Sequence, residues 1–311
     1  MSELTVGFVG LGNMGWPMAA NLHAAGFPLI VRDVDAARQA AFAAECPGAL
    51  AAESPADFTT ADLVVTMLPN GVIVKDALLG WGIAAALGPG ALVVEMSSSD
   101  PSDTVGLAAE LEPSGIRVVD APVSGGVPRA LTGGLSLMVG GVDEDVARAQ
   151  PVLRVLGDAD RQFRTGGLGT GHAMKALNNV IGAATYCATA EALVIGQRFG
   201  LDPRTMIAIV NASTGRSFVS ETVFAGEVLT GRYGSGFALG LMAKDVHIAR
   251  SVAAAAETDA PVVALADARW AKALTQLGPT ADQSMAHQAW WADRLDGTSG
   301  DEARECVQDQ S

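Results

Sequence analysis

At 311 residues the chain exceeds what one ordinary hydrophobic core organises, and two domains are expected. A hydrophobic fraction of 49% against 17% charged residues excludes a disordered chain. The net charge of −14 repels phosphate backbones and anionic lipid, so neither nucleic acid nor a membrane is an expected partner, and a small anion would need a local cluster of positive charge.

The chain opens on a strand-like run without a basic leader, and apolar stretches are interrupted, as at Gly88-Pro89-Gly90. A cytoplasmic location is therefore expected. Up to residue 165, short β-branched runs at 6–9, 29–31, 63–67, 92–94, 116–119 and 135–139 have the composition of buried strands. Helical spacing lies between them, as at 14–25 and 101–111. The second of these has Ser99 or Asp100 as a cap and Pro101 at the first helical position. This alternation predicts an α/β fold, a Rossmann-type doubly wound sheet over 1–165.

After Gly171 the pattern changes. Residues 172–199 contain no proline and many alanines, with helical apolar spacing through Met174, Leu177, Ile181, Ala184 and Ala188. Further helices are predicted at 203–211, 243–257, 260–277 and 283–294, and no strand pattern returns. Residues 166–296 thus read as an all-α C-terminal domain and 297–311 as a frayed polar tail. Three widely spaced cysteines, Cys46, Cys187 and Cys306, suggest no disulfide framework. His23, His172, His247 and His287 show no ligand spacing either, so no metal is expected.

The sharpest motif is Gly10-Leu11-Gly12-Asn13-Met14-Gly15, which follows the first strand and opens the first helix. In that context it is the dinucleotide fingerprint: a tight turn, a close backbone approach to a pyrophosphate, and close helix–strand packing. Asp33, at the end of the second strand, would accept from the ribose hydroxyls and repel a 2′-phosphate, which favours NAD over NADP. Arg32 beside it is either a phosphate partner or a solvated strand-end arginine.

Three more segments sit at predicted strand ends: Met67-Leu68-Pro69-Asn70, 95–101 around Ser98, and Asp120-Ala121-Pro122-Val123-Ser124-Gly125-Gly126. In a parallel sheet these ends face the ligand crevice. Ser124-Gly125-Gly126 is either a backbone nest for a carboxylate or a plain glycine turn. Lys175 and Asn179 share a helix face, with Asn178 beside them. Lys175 is either a proton donor and acceptor or a snorkelling helix-end lysine.

Four ordered segments carry a resemblance: 7–15, 120–126, 169–179 and Leu241-Met242-Ala243-Lys244-Asp245. With these the chain resembles the β-hydroxyacid dehydrogenases, over residues 6 to about 295. The resemblance implies NAD(H)-dependent interconversion of a small β-hydroxy acid and its semialdehyde. It implies that Lys175 is the catalytic proton donor and acceptor and that Asn179 orients substrate or lysine. Ser124, Gly125 and Gly126 would hold the substrate carboxylate, and Leu68, Pro69 and Ser98 would touch the cofactor. Lys244 would close over the cofactor with Asp245 as its neighbour near the substrate. Homodimers or homotetramers joined through the helical domains are implied too. His172 would be a tuning residue or an ordinary polar helix start, and Arg216 a functional residue or one half of an ion pair. Substrates of tartronate semialdehyde, succinic semialdehyde or threonate type are the alternatives within the family. A catalytically idle dinucleotide-binding scaffold or sensor is the alternative of another functional class.

Overall fold

The computed structural model describes residues 4–291 and Leu295, so the tail at 297–311 and Cys306 lie outside the described residues. The chain forms two compact units, Met1–Ala176 and Leu177–Ser311.

The first unit runs β1 (Val6–Val9), α1 (Gly15–Ala24), β2 (Leu29–Arg32), α2 (Ala36–Glu45), β3 (Leu50–Ala51), β4 (Leu63–Thr66), α3 (Gly71–Lys75), α4 (Ile83–Ala86) and β5 (Leu92–Glu95). It continues with α5 (Pro101–Leu111), β6 (Arg117–Asp120), β7 (Val123–Ser124), α6 (Gly126–Leu131), β8 (Leu135–Gly140), α7 (Asp143–Leu156) and β9 (Gly157–Gly166). The sheet order is β3-β2-β1-β4-β5-β6-β8-β7, with β9 paired to β8. Strands β3 through β6 are parallel, and β8 runs antiparallel to β6 and β7. Strand order reverses beside β1, which is the topological switch point of a Rossmann sheet.

Both sheet faces are buried, as continuous apolar strands require. Val6, Phe8, Leu63, Val65, Leu92 and Val94 pack with Met18 and Leu22 on one face. Val9, Ile30, Val64, Val93 and Val118 pack with Phe58, Leu78 and Leu107 on the other.

Helix α8 (Thr170–Arg198) begins in the first unit and continues into the second. The described part of the second unit adds α9 (Pro203–Asn211), a π-helical segment Val219–Val228, α10 (Leu239–Ala255) and α11 (Pro261–Leu277). Of the helix expected at 283–294, residues 292–294 lie outside the described residues, and Gln283–Ala289 is instead a short 3₁₀ helix. Asp282 caps it by accepting from the Ser284 N–H, and a bridge between Ala238 and Asp282 fixes its start.

The helical spacing expected over 172–199 is present, but the residues that marked it are not its buried face. Met174, Leu177 and Ile181 are exposed, whereas Ala176, Val180, Ala183, Tyr186, Ala190 and Leu193 are buried. The helix has two apolar faces, and spacing alone does not tell which one meets its own core. The buried stripe leads to an aromatic cluster in which Tyr186 lies 4.8 Å from Phe224, 5.4 Å from Trp270 and 5.8 Å from Trp290. The Tyr186 hydroxyl donates to the Ser284 carbonyl at 2.7 Å, and burial pushes this phenol well above its ordinary range.

Candidate active site

The glycine loop after β1 has the geometry its motif requires. Gly10 adopts φ +99°, and a Cβ there would sit 2.3 Å from the Met67 carbonyl oxygen. A Cβ on Gly15 would fall 1.8 Å from the Gly10 carbonyl oxygen, so α1 approaches the loop as closely as a backbone can. At Gly12, by contrast, a Cβ would meet nothing within 4 Å. The loop is thus tight where it packs on the protein and open at its middle glycine. That is the cradle a pyrophosphate needs at a helix N-terminus, so the residues present fit a dinucleotide. Leu11, Asn13 and Met14 complete it.

Asp33 is buried at the end of β2. Its carboxylate accepts the Leu11 N–H at 2.6 Å and the Asp35 N–H at 2.9 Å. Arg32 turns away from it: its guanidinium stacks 4.6 Å from the Trp81 ring centroid and donates to the Asp33 carbonyl oxygen and to Gln39 Oε1.

The remaining strand ends of the first unit converge. Leu68 and Pro69 follow β4, Ser97 and Ser98 follow β5, and Asp120 ends β6. The Leu68 N–H donates to Ser97 Oγ at 2.9 Å, and the Ser97 N–H to Glu95 Oε1 at 2.8 Å. Asp120 accepts the Gly169 N–H at 2.8 Å and the His172 N–H at 2.9 Å, which caps the first turn of α8. Gly171 makes room for it, since a Cβ there would lie 2.7 Å from Asp120 Oδ2.

His172 itself is buried rather than an ordinary helix-start residue. Its Nε2 lies 2.7 Å from Glu95 Oε2 and 3.1 Å from the Ser97 carbonyl oxygen; its Nδ1 lies 3.0 Å from Thr104 Oγ1. Burial alone would push the imidazole down, but the charges of Glu95 and Asp120 and the Glu95 hydrogen bond hold it above its ordinary value. Burial opposes the Glu95 charge as well, yet His172 and the Ser97 hydrogen bonds hold that carboxyl below its ordinary value. Lys175, half-buried, follows His172 by one turn. Gly125 and Gly126 have φ +134° and +64° at the start of α6, with Ser124 half-buried before them.

In the second unit Asn179 and Asp245 are both buried, and Asn179 Nδ2 donates to Asp245 Oδ2 at 2.6 Å. Lys244 Nζ lies 2.8 Å from Asp245 Oδ1. Arg216 pairs with Glu221 at 2.7 Å. Sequence reasoning missed Glu95 and Thr104. The signal for Glu95 was a carboxylate closing an otherwise apolar strand, where it needs a buried partner. It also missed Arg129, whose stem covers Gly125, with Cδ 2.5 Å from where a Cβ would be.

Residues 5–167 match the family described as the NAD binding domain of 6-phosphogluconate dehydrogenase. Residues 169–290 match that described as NAD-binding of NADP-dependent 3-hydroxyisobutyrate dehydrogenase. The chain is 40% identical to human mitochondrial 3-hydroxyisobutyrate dehydrogenase, over 84% of this chain and 79% of that one. It is 37% identical to 2-(hydroxymethyl)glutarate dehydrogenase of Eubacterium barkeri, over 85% and 87%. Among solved structures, a Mycobacterium tuberculosis 3-hydroxyisobutyrate dehydrogenase with L-serine superposes with a TM-score of 0.81 at 31% identity, covering 92% of this chain and 99% of that one. With the fold and the glycine loop, these similarities establish that the chain belongs to the β-hydroxyacid dehydrogenases and is a hydroxyacid dehydrogenase that uses a nicotinamide dinucleotide.

Proposed function

We propose that the chain interconverts a small β-hydroxy acid, of the 3-hydroxyisobutyrate type, and its semialdehyde, with Lys175 as the general acid and base and NAD as the preferred cofactor. One observation carries this reading. Asp120 fastens the first turn of α8 to the same strand-end edge that bears the glycine loop and Leu68, and Lys175 follows one turn further along that helix, which supports this role.

Gly10 through Gly15 would hold the pyrophosphate, Asp33 the adenine ribose, and Leu68, Pro69 and Ser98 the cofactor body. When bound, the nicotinamide supplies the hydride acceptor. Ser124, Gly125 and Gly126 would bind the substrate carboxylate through hydroxyl and backbone N–H groups. Lys175 Nζ takes the hydroxyl proton in oxidation and returns it to the carbonyl oxygen in reduction. By the family resemblance Asn179, one turn further along the helix, would orient substrate or lysine, and Lys244 would close over the cofactor with Asp245 as its neighbour near the substrate. Screening small hydroxy acids with NAD at alkaline pH, where proton release favours oxidation, tests the assignment. Turnover of 3-hydroxyisobutyrate above all other acids is expected, and a clear preference for a glycerate- or threonate-type acid overturns it.

We also propose a homo-oligomer built on the helical unit. Ile195, Phe199, Ile209 and Phe218 are each at least 60% exposed there, apolar side chains that a contact between copies would cover. Light scattering at micromolar concentration should give two or four times the 31.7 kDa chain mass; the single-chain mass refutes this.

A further inference from the structure

His172 is fully buried, bears a titratable ring and has no part in the chemistry assigned above. Its contacts come from four separate places in the first unit. Glu95 ends β5, Ser97 follows it, Thr104 belongs to α5, and Asp120 ends β6. His172 sits in the first turn of α8, three residues before Lys175, so the two lie on adjacent positions of one face. Ser97 in turn accepts the Leu68 N–H through its hydroxyl. The ring therefore closes a chain of contacts from the segment after β4, through the segment after β5, to the helix that carries the lysine.

The geometry points to His172 as a positioning residue for this reaction: it sets Lys175 in register with the strand-end segments assigned to the cofactor. The role rests on the reading of Lys175 as general acid and base. Hydride and proton leave one carbon and its oxygen together, so the lysine must be fixed relative to the cofactor and not merely near it. A ring with both nitrogens engaged can do this where a single hydrogen bond leaves rotation free. Nε2 lies against two acceptors, Glu95 Oε2 and the Ser97 carbonyl oxygen, and Nδ1 lies against the Thr104 hydroxyl, which can donate or accept, so both ring nitrogens are engaged. Asp120, 3.8 Å from Nδ1, completes the charge around the ring while its oxygens hold the helix N–H groups. Among the described residues no group of three or more His, Cys, Asp or Glu is arranged to hold a metal ion. The cluster thus fits an internal mount rather than a cation site.

A double-mutant cycle tests this. His172→Leu is expected to lower kcat by about 10- to 100-fold while KM for NAD and the NADH dissociation constant, read by cofactor fluorescence, change less than about threefold. His172→Gln, which keeps a donor toward Glu95, should recover part of the loss. In a Lys175→Ala background His172→Leu should change the residual rate by less than about twofold, because its effect runs through the lysine. An equal loss in both backgrounds, or a His172→Leu enzyme within twofold of the parent kcat, overturns the inference. If His172→Leu does not fold, the same cycle with His172→Gln decides, judged by the same non-additivity. Should Lys175→Ala itself keep most of its turnover, the underlying reading of the lysine fails. If Lys175→Ala is crippled and the His172 variants are not, only the positioning role fails.

Discussion

Each unit has its own polar cluster, one including His172 and the other Asn179, and they are built differently. In the first unit Glu95, His172 and Asp120 are all buried, and each finds its partner inside the cluster or on the backbone. In the second unit Asp245 is buried between Asn179 and Lys244, but the Lys244 side chain is 22% exposed. Burying three ionisable groups is tolerable only when the geometry is complete, since each unpaired charge would cost several kcal/mol. The first cluster is therefore a fixed mount. The second keeps one member in contact with water, the property a group needs if it is to exchange its partner for a ligand.

The largest effect expected from any single change is at Lys175. Lys175→Ala should lower kcat by about 10²–10⁴, the usual contribution of a general acid or base. NADH binding should survive within about twofold, because the glycine loop and Asp33 are untouched. A variant with more than half of the parent turnover would remove Lys175 from the mechanism.

The difference between the clusters should also appear in stability. Glu95→Ala strips the charge partner from a buried imidazole and is expected to cost about 3–5 kcal/mol. Asp245→Ala leaves an amide and a partly hydrated ammonium, and about 1–3 kcal/mol is expected. Equal losses in denaturant titrations would dissolve the distinction. The first cost should depend on pH in a set direction. With its value raised in the folded state, His172 stabilises fully below about pH 6.5 and loses that contribution as pH rises through the folded value. Glu95, lowered in the folded state, stabilises above about pH 4.5 and loses its contribution as pH falls through the folded value. The gap between parent and Glu95→Ala should be widest between about pH 4.5 and 6.5 and narrow on both sides.

The two regions were also unequally legible from sequence. Strands such as Val6–Val9 and Leu63–Thr66 announce themselves because both faces are buried, so apolar residues run without a break. β9 was invisible: Gly157–Gly166 is mostly polar, with only Ala159 and Phe163 apolar between its glycines, and carries no alternation. Lys175, Asn179 and the glycine loop stood out because their chemistry depends on spacing along the chain. Glu95 with His172 did not, because that pairing spans β5 and α8 and exists only after the sheet has formed. The helical unit misled for another reason. Its long helix offers Ile181 on one side and Val180 on the other, and only packing decides between them.

A third carboxylate sharpens the comparison at its smallest expected effect. Asp33 and Asp120 each accept two backbone N–H groups at a strand end. Asp120 has an imidazole beside it. Asp33 does not have the neighbouring guanidinium, since Arg32 lies against Trp81 and gives its hydrogen bonds to the Asp33 carbonyl and Gln39. The Asp33 carboxylate is thus held by backbone N–H groups, while the Arg32 guanidinium is held on the Asp33 carbonyl, Gln39 and Trp81. A 2′-phosphate placed there meets repulsion, and kcat/KM should favour NAD over NADP by at least about tenfold, or about 1.4 kcal/mol. Asp33→Asn should collapse most of that ratio by removing the charge while keeping an acceptor for the Leu11 N–H. Trp81→Ala should narrow it more modestly, by releasing the Arg32 guanidinium from its stack to swing toward a phosphate. Equal efficiency with both cofactors in the parent enzyme would mean that Arg32 leaves Trp81 at little cost and that the carboxylate does not set the preference.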